Sequence, residues 1–227
     1  FPNLQPDGAA YLPTLIRGAG EVTRSKLQLH PAPGGDPMHA FALVCYALHM
    51  VQFGAAPTQN FFSLIERVLQ SREPALMDLV QGYMHYLFRG INCIPPAAER
   101  VLYRGVPRGK LDAFRTHYQS GRRAHWSGIT TVSSAEGVAK RFAGAGGIVI
   151  EVTARMTCSI KEWSVFPEEE LLLLPNFKAL VTRGLTEVDG WWRLSLCEIQ
   201  PSCPASSSEA GVVLCPSGPA PCPPSCG

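Results

Sequence analysis

One change of period limits the fold of this chain more than any other feature. From Asp36 to about residue 92 the apolar residues recur at helical spacing, and after Pro95-Pro96 they alternate. Asp36-Pro37 reads as an N-cap followed by proline at the first helical position. Phe41, Val44, Cys45 and Leu48 then form an i, i+3, i+4, i+7 stripe. The same spacing predicts helices over 60–71, through Phe61, Leu64, Ile65, Val68 and Leu69, and over 74–89. Beyond the prolines, alternation predicts strands over 100–105, 126–134, 147–153, 170–174, 178–182 and 191–199, with a short helix over 111–119. Helices come first and strands later, so the fold class is α+β rather than a doubly wound parallel sheet.

This pattern divides the chain of 227 residues into three parts. Residues 1–35 are turn-rich and read as a surface arm. Residues 36–200 form one folded domain, helical over 36–96 and a β core over 97–200. Residues 201–227 contain seven Pro, six Ser and four Cys, with Glu209 as the only charge, and read as a flexible tail that cannot repay its ordering entropy.

Several function classes drop out. A net charge of +2 gives no basic surface for nucleic acid. The longest apolar run, residues 41–53, is interrupted by His49 and Gln52 and falls short of the ~18 residues of a membrane span. The opening Phe1-Pro2-Asn3 has no leader signature, so a soluble protein is expected, with its compartment open. The eight cysteines include no CxxC and no paired Cys/His spacing, so no metal site is expected. Neither GxGxxG nor a P-loop is present.

Three segments carry polar groups suited to chemistry. In Tyr103-Arg104-Gly105, an arginine at a strand end stands next to a residue that lets backbone approach a ligand closely, while the guanidinium holds a phosphate or carboxylate. Seven basic residues lie between 100 and 123 against Asp112 alone, which suits a small anion and also an ordinary solvated face. Trp126 to Ser134 is a hydroxyl-rich strand, followed by Phe142. In Ser164 to Pro175, Glu168 and Glu170 share a face of an extended chain while Glu169 points away. Two carboxylates side by side repel, so one of them has its pKa raised.

In this order and spacing, the segments resemble the arginine-specific mono-ADP-ribosyltransferases, the branch marked by an Arg, a Ser-Thr-Ser strand and a Glu-x-Glu pair. The resemblance runs from about Asp36 to Ile199 and includes NFFSLIERVLQSRE, LYRGV, HYQSGRRAHWSGITTVSSAEGVAKRF and SVFPEEELLLLPNFK. Arg104 matches the family arginine, Phe142 the aromatic after the hydroxyl strand, and Glu168 and Glu170 the pair. One departure is that Ser-Thr-Ser reads Thr131-Val132-Ser133.

The resemblance implies a two-sheet, mainly antiparallel β core with an NAD cleft, acting as a monomer on NAD and on an acceptor protein with an accessible arginine. It implies that NAD is consumed as a co-substrate without metal. Arg104 would hold the NAD phosphates, Gly105 the carboxamide through its backbone, and Phe142 the nicotinamide ring. Thr131 would orient Glu170, Glu170 would bind the ribose and face the developing positive charge, and Glu168 would take the acceptor guanidinium. Phe166 would contact the acceptor protein. The alternatives are an NAD glycohydrolase and a catalytically weak module that binds NAD or a partner.

Overall fold

A computed structural model of the chain describes residues 8–48, 60–165 and 170–199. The expected tail over 201–227, Glu168 and Phe166 lie outside the described residues.

Four helices form the N-terminal layer: α1 (Gly8–Leu27), α2 (Pro37–Ala47), α3 (Phe61–Ser71) and α4 (Pro74–Asn92). The three expected helices start where the sequence signals place them. The Asp36 carboxylate accepts from the Met38 N–H at 2.9 Å, and the Asn60 side chain accepts from the Ser63 N–H at 2.8 Å. Helix α1 corrects the expectation of an arm. Its Tyr11, Leu15 and Ala19, at i, i+4 and i+8, are buried in the main core, and the Tyr11 hydroxyl accepts from the Phe61 N–H at 2.7 Å. Pro13, Gly18 and Gly20 conceal this helix, because each is a weak helix former whose cost is overridden by packing. Helix α2 differs from the expected single stripe: residues 42–47 are all buried. Beyond its exposed first turn it packs against α1, α3 and α4 at once, so residues 42–47 have no solvent face to keep polar.

Nine strands follow: β1 (Pro96–Ala97), β2 (Arg100–Val106), β3 (Arg123–Trp126), β4 (Thr130–Ser133), β5 (Ile148–Ala154), β6 (Thr157–Ser159), β7 (Glu170–Leu173), β8 (Phe177–Val188) and β9 (Trp191–Glu198). They are interrupted by α5 (Leu111–His117) and α6 (Glu136–Ala143). The strands are hydrogen-bonded in the order β1-β6-β7-β4-β2-β5-β9-β8-β3, and every pairing is antiparallel except β5–β9. The expected two sheets are thus one connected ladder with a thin joint. Strand β2 pairs with β5 at seven positions, from Arg100↔Ala154 to Val106↔Ile148, but with β4 only at Tyr103↔Ser133.

The single strand expected over 126–134 is also divided. Its first part belongs to β3, which pairs with β8, and its second to β4, which pairs with β7. Ser127-Gly128 makes the break between them. Two apolar clusters hold the layers together. One joins the helices to Ile129, Ile160, Trp163 and Leu172; the other fills the sheet around Leu102, Val132, Ile150 and Leu171. Among the described residues, no helix is long and apolar enough to cross a membrane.

Candidate active site

The thin joint between β2 and β4 is where the polar side chains gather. On the β2 side, Gly105 lies against α6: a Cβ at this position would come within 2.0 Å of the Ala139 carbonyl oxygen. The close approach that this glycine permits is therefore made by a helix. Side chains alternate along a strand, so Arg104 leaves β2 on the opposite face. Its Nη1 donates to the Thr131 carbonyl oxygen at 2.9 Å, bridging the joint where the backbone ladder has stopped.

On the other side, the β4–β7 register sets Ser133 opposite Glu170 and Thr131 opposite Leu172. Paired and alternate residues share a face, so Thr131, Ser133 and Glu170 point the same way. Val132 points the other way, into the sheet core at 2% exposure. The hydroxyl that this position lacks would have had no access to Thr131's face.

Glu170 opens β7 and is buried, with its Oε2 accepting from the Ser164 hydroxyl at 2.7 Å. Burial pushes its carboxyl above the usual 4.5, and the Ser164 hydrogen bond pulls in the opposite direction. The Ile160 N–H donates to the Glu170 carbonyl at 2.9 Å and fixes the backbone there. The expectation that Thr131 orients Glu170 thus meets a different contact, because the hydrogen bond to this carboxylate comes from Ser164. Ser164 is itself only 1% exposed. Its sequence signal is its place six residues before Glu170, in the same acidic segment.

Two further polar residues reach the joint from the helices, and sequence reasoning places neither in the site. Tyr46 of α2 is 1% exposed, and its hydroxyl has no hydrogen-bond partner. Burial raises its pKa well above 10; Glu66 and Glu170 push the same way and Arg104 pulls it down. The Thr131 hydroxyl stands beside it, outside hydrogen-bond geometry and equally without a partner. Glu66 of α3 also has a buried oxygen, Oε1, with no partner; its pKa is raised by burial and drawn down by Arg104. Phe142 is different. It is 61% exposed on α6, the helix that covers the Gly105 face of β2.

The structure therefore gathers Arg104, Thr131 and Glu170 about the β2–β4 joint from segments 27 or more residues apart, and adds Ser164, Tyr46 and Glu66. A guanidinium beside two buried hydroxyls and one carboxylate oxygen that lack partners, those of Tyr46, Thr131 and Glu66, fits a ligand bearing both phosphates and sugar hydroxyls. Among the described residues, no group of three or more His, Cys, Asp or Glu could hold a metal ion.

Known structures share this architecture. The ADP-ribosyltransferase HopU1 of Pseudomonas syringae pv. tomato superposes with a TM-score of 0.62 at 13% identity, over 77% of this chain and 82% of its own. The eukaryotic mono-ADP-ribosyltransferase ART2.2 gives 0.61 at 20% identity, over 90% and 87%, and a variant of it in complex with NAD gives 0.59 at 19% over the same shares. The ADP-ribosyltransferase Vis, in complex with agmatine, gives 0.53 at 14%, over 84% and 86%. At these identities the likeness is one of fold. No curated protein matches the sequence significantly. Residues 39–204, however, match the family model of NAD:arginine ADP-ribosyltransferases. With that match spanning most of its length, the chain belongs to the NAD:arginine ADP-ribosyltransferase family.

Proposed function

We propose that this transferase moves ADP-ribose from NAD onto the guanidinium of an arginine side chain in an acceptor protein. The observation that carries the reading is the convergence of Arg104, Thr131 and Glu170 at the β2–β4 joint, with Glu170 buried and ionisable. Two neighbours of this fold support the choice of ligands: one structure holds NAD, and that of Vis holds agmatine, a guanidinium compound.

In this reading Arg104 binds the NAD phosphates through charge-assisted hydrogen bonds. The β4-side edge of β2 beyond Tyr103 has no register partner on β4, which leaves backbone groups near Gly105 for the nicotinamide carboxamide. Phe142 walls the nicotinamide, and the Thr131 hydroxyl meets the ribose. Glu170, held by Ser164, accepts from a ribose hydroxyl and faces the positive charge that grows on the sugar as the bond to nicotinamide breaks. That bond's electron pair leaves with the neutral nicotinamide ring. The guanidinium nitrogen forms the new bond to the ribose carbon and loses a proton, which Glu168 accepts. Free arginine is too basic to attack while protonated, so this carboxylate separates transfer from hydrolysis. Phe166, in the same segment, contacts the acceptor protein.

Incubation with labelled NAD and agmatine tests the reading. Labelled agmatine is the expected product. Free ADP-ribose alone would make the protein an NAD glycohydrolase, and neither product would make it a binding module. Glu168→Gln should keep NAD hydrolysis and lose transfer to agmatine.

A further inference from the structure

The β2–β4 joint is closed directly by one register pair, Tyr103↔Ser133, and by the bridge from Arg104 to the Thr131 carbonyl. A third tie crosses on the opposite face of the sheet. Arg193 of β9 donates from Nη2 to Glu136 Oε1, in the first turn of α6. Strands β2 and β5 lie between β4 and β9, so this ion pair spans both of them. Helix α6 begins three residues after Ser133, and the Ala135 N–H donates to the Ser133 hydroxyl at 3.2 Å. The corner between β4 and α6 is therefore one stiff unit, and Glu136 is its handle. We propose that Glu136 is a positioning residue for NAD binding: held by Arg193, it fastens the β4–α6 corner to the β2–β5–β9 ladder and so sets the width of the β2–β4 joint. The proposal rests on the NAD-dependent reading above.

The need for such a tie follows from how α6 is seated. Its buried residues are Ala139 and Ala143, which lie over Gly105 and Gly147. Residues 136–138, the end nearest β4, include no buried side chain. Packing therefore seats the middle and far end of the helix, and the ion pair secures the near end. Lys140 keeps the carboxylate in place: its Nζ lies 2.9 Å from Glu136 Oε1 and 4.8 Å from the centre of the Trp191 ring. Glu136 and Arg193 are both partly buried, so solvent screens them less than an exposed pair. Two strands joined by one register pair can splay about it. Splaying would carry Thr131, and Glu170 paired to its strand, away from Arg104. A joint held at the right width before the ligand arrives adds affinity without a new ligand contact.

The test is a double-mutant cycle read in NAD affinity, measured by calorimetry on the full chain. Glu136→Gln keeps the shape and removes the charge. It should raise Kd and KM for NAD about fivefold, with kcat for NAD cleavage changed by less than about threefold. Arg193→Met, which keeps much of the apolar stem, should cause a similar loss, and in that background the Glu136→Gln effect should shrink to within about twofold. Arg193→Lys, which keeps the charge, should retain part of the affinity. Leu15→Ala, in the core contact of α1, should lower Tm at least as much as Glu136→Gln and leave Kd within about twofold of the parent. An equal rise in Kd for Leu15→Ala would overturn the proposal, because affinity would then track overall stability. A Glu136→Gln chain that fails to fold, or equal Glu136→Gln effects with and without Arg193, would overturn it as well. An unchanged Kd in a folded Glu136→Gln chain would overturn this proposal alone, whereas a parent chain that binds no NAD would overturn it together with the reading on which it rests.

Discussion

The two flanks of β2 are built differently. Towards β5 the strand is held by seven consecutive register pairs, and α6 covers its Gly105 face. Towards β4 it is held by one pair and by the Arg104 side chain. A continuous ladder satisfies every backbone group and leaves nothing for a ligand. An interrupted ladder leaves backbone groups and side chains that need partners, and a substrate can supply them. The firm flank therefore sets where Arg104 starts, and the open flank decides what it meets. Substitutions on the firm flank should act on folding, and those on the open flank on NAD chemistry.

The largest effect is expected on the firm flank. Gly105→Ala places a methyl 2.0 Å from the Ala139 oxygen and 2.7 Å from the Ala143 nitrogen, both backbone atoms that a side-chain rotation cannot clear. The expected loss is about 3 kcal/mol or more, or a fall in Tm on the order of 10 °C. A thermal melt within a degree or two of the parent would show that α6 is free to lift from β2, and the contrast between the flanks would fail.

On the open flank the signs reverse. Glu170→Gln removes the charge that the proposed function sets against the ribose, and NAD cleavage should fall by about 10²–10³. Stability should move the other way. Burial raises the folded-state pKa of Glu170 above 4.5, so its ionised form is disfavoured in the fold at pH 7. That penalty disappears as pH falls through the folded pKa, where the native carboxylate takes up a proton before the unfolded one does. Glu170→Gln should therefore have the higher Tm at pH 7, and the difference should vanish below pH 4.5. Equal melting temperatures at pH 7 would mean that the Ser164 hydrogen bond already compensates the burial.

Ser164→Ala probes the same carboxylate more gently. Ser164 donates at 2.7 Å and stabilises the charged form of Glu170. Without it the pKa should rise further, so the acid limb of the pH–rate profile for NAD cleavage should shift to higher pH. The lost hydrogen bond to a charged group should cost about 1.5–3 kcal/mol of stability at neutral pH. An unshifted acid limb would show that Glu170 is not the group whose ionisation that limb reports.

How much of this fold and site is legible in the sequence follows from the range of each interaction. Helices α2, α3 and α4 announce themselves through Asp36, Asn60 and the prolines after their caps, which act within a few residues. Helix α1 does not, since its glycines argue against it locally and what forms it is the distant packing of Tyr11 and Leu15. Arg104, Thr131 and Glu170 stand out because their order along the chain resembles a known family. Tyr46 and Glu66 blend into helical patterns, because a buried polar atom without a partner leaves no trace in spacing. Only the approach of α2 and α3 to the sheet joint makes them members of the site. Val132 is the reverse case. In the motif it looks like a lost hydroxyl of the site, yet its side chain lies in the sheet core.

The smallest expected effect sharpens the contrast at the level of single atoms. Arg104 is held across the joint by the carbonyl of Thr131, and a carbonyl is indifferent to the side chain beside it. Thr131→Ser keeps the hydroxyl, restores the serine of the family motif and deletes one methyl. NAD cleavage should stay within about threefold of the parent, and stability should fall by less than about 0.8 kcal/mol, because Thr131 is only half-buried. Val132→Thr, the other step towards the motif, should instead destabilise by about 1–3 kcal/mol, because it buries a hydroxyl in an apolar cluster, and it should bring no gain in NAD affinity. A large loss of NAD affinity in Thr131→Ser would show that the threonine methyl, and not the backbone of β4, sets the width of the open flank. A gain in affinity from Val132→Thr would show that β4 turns its other face to the ligand. The register of Ser133 against Glu170 forbids that second outcome while β4 and β7 stay paired, since a strand offers the same face at Thr131 and Ser133 and the opposite one at Val132.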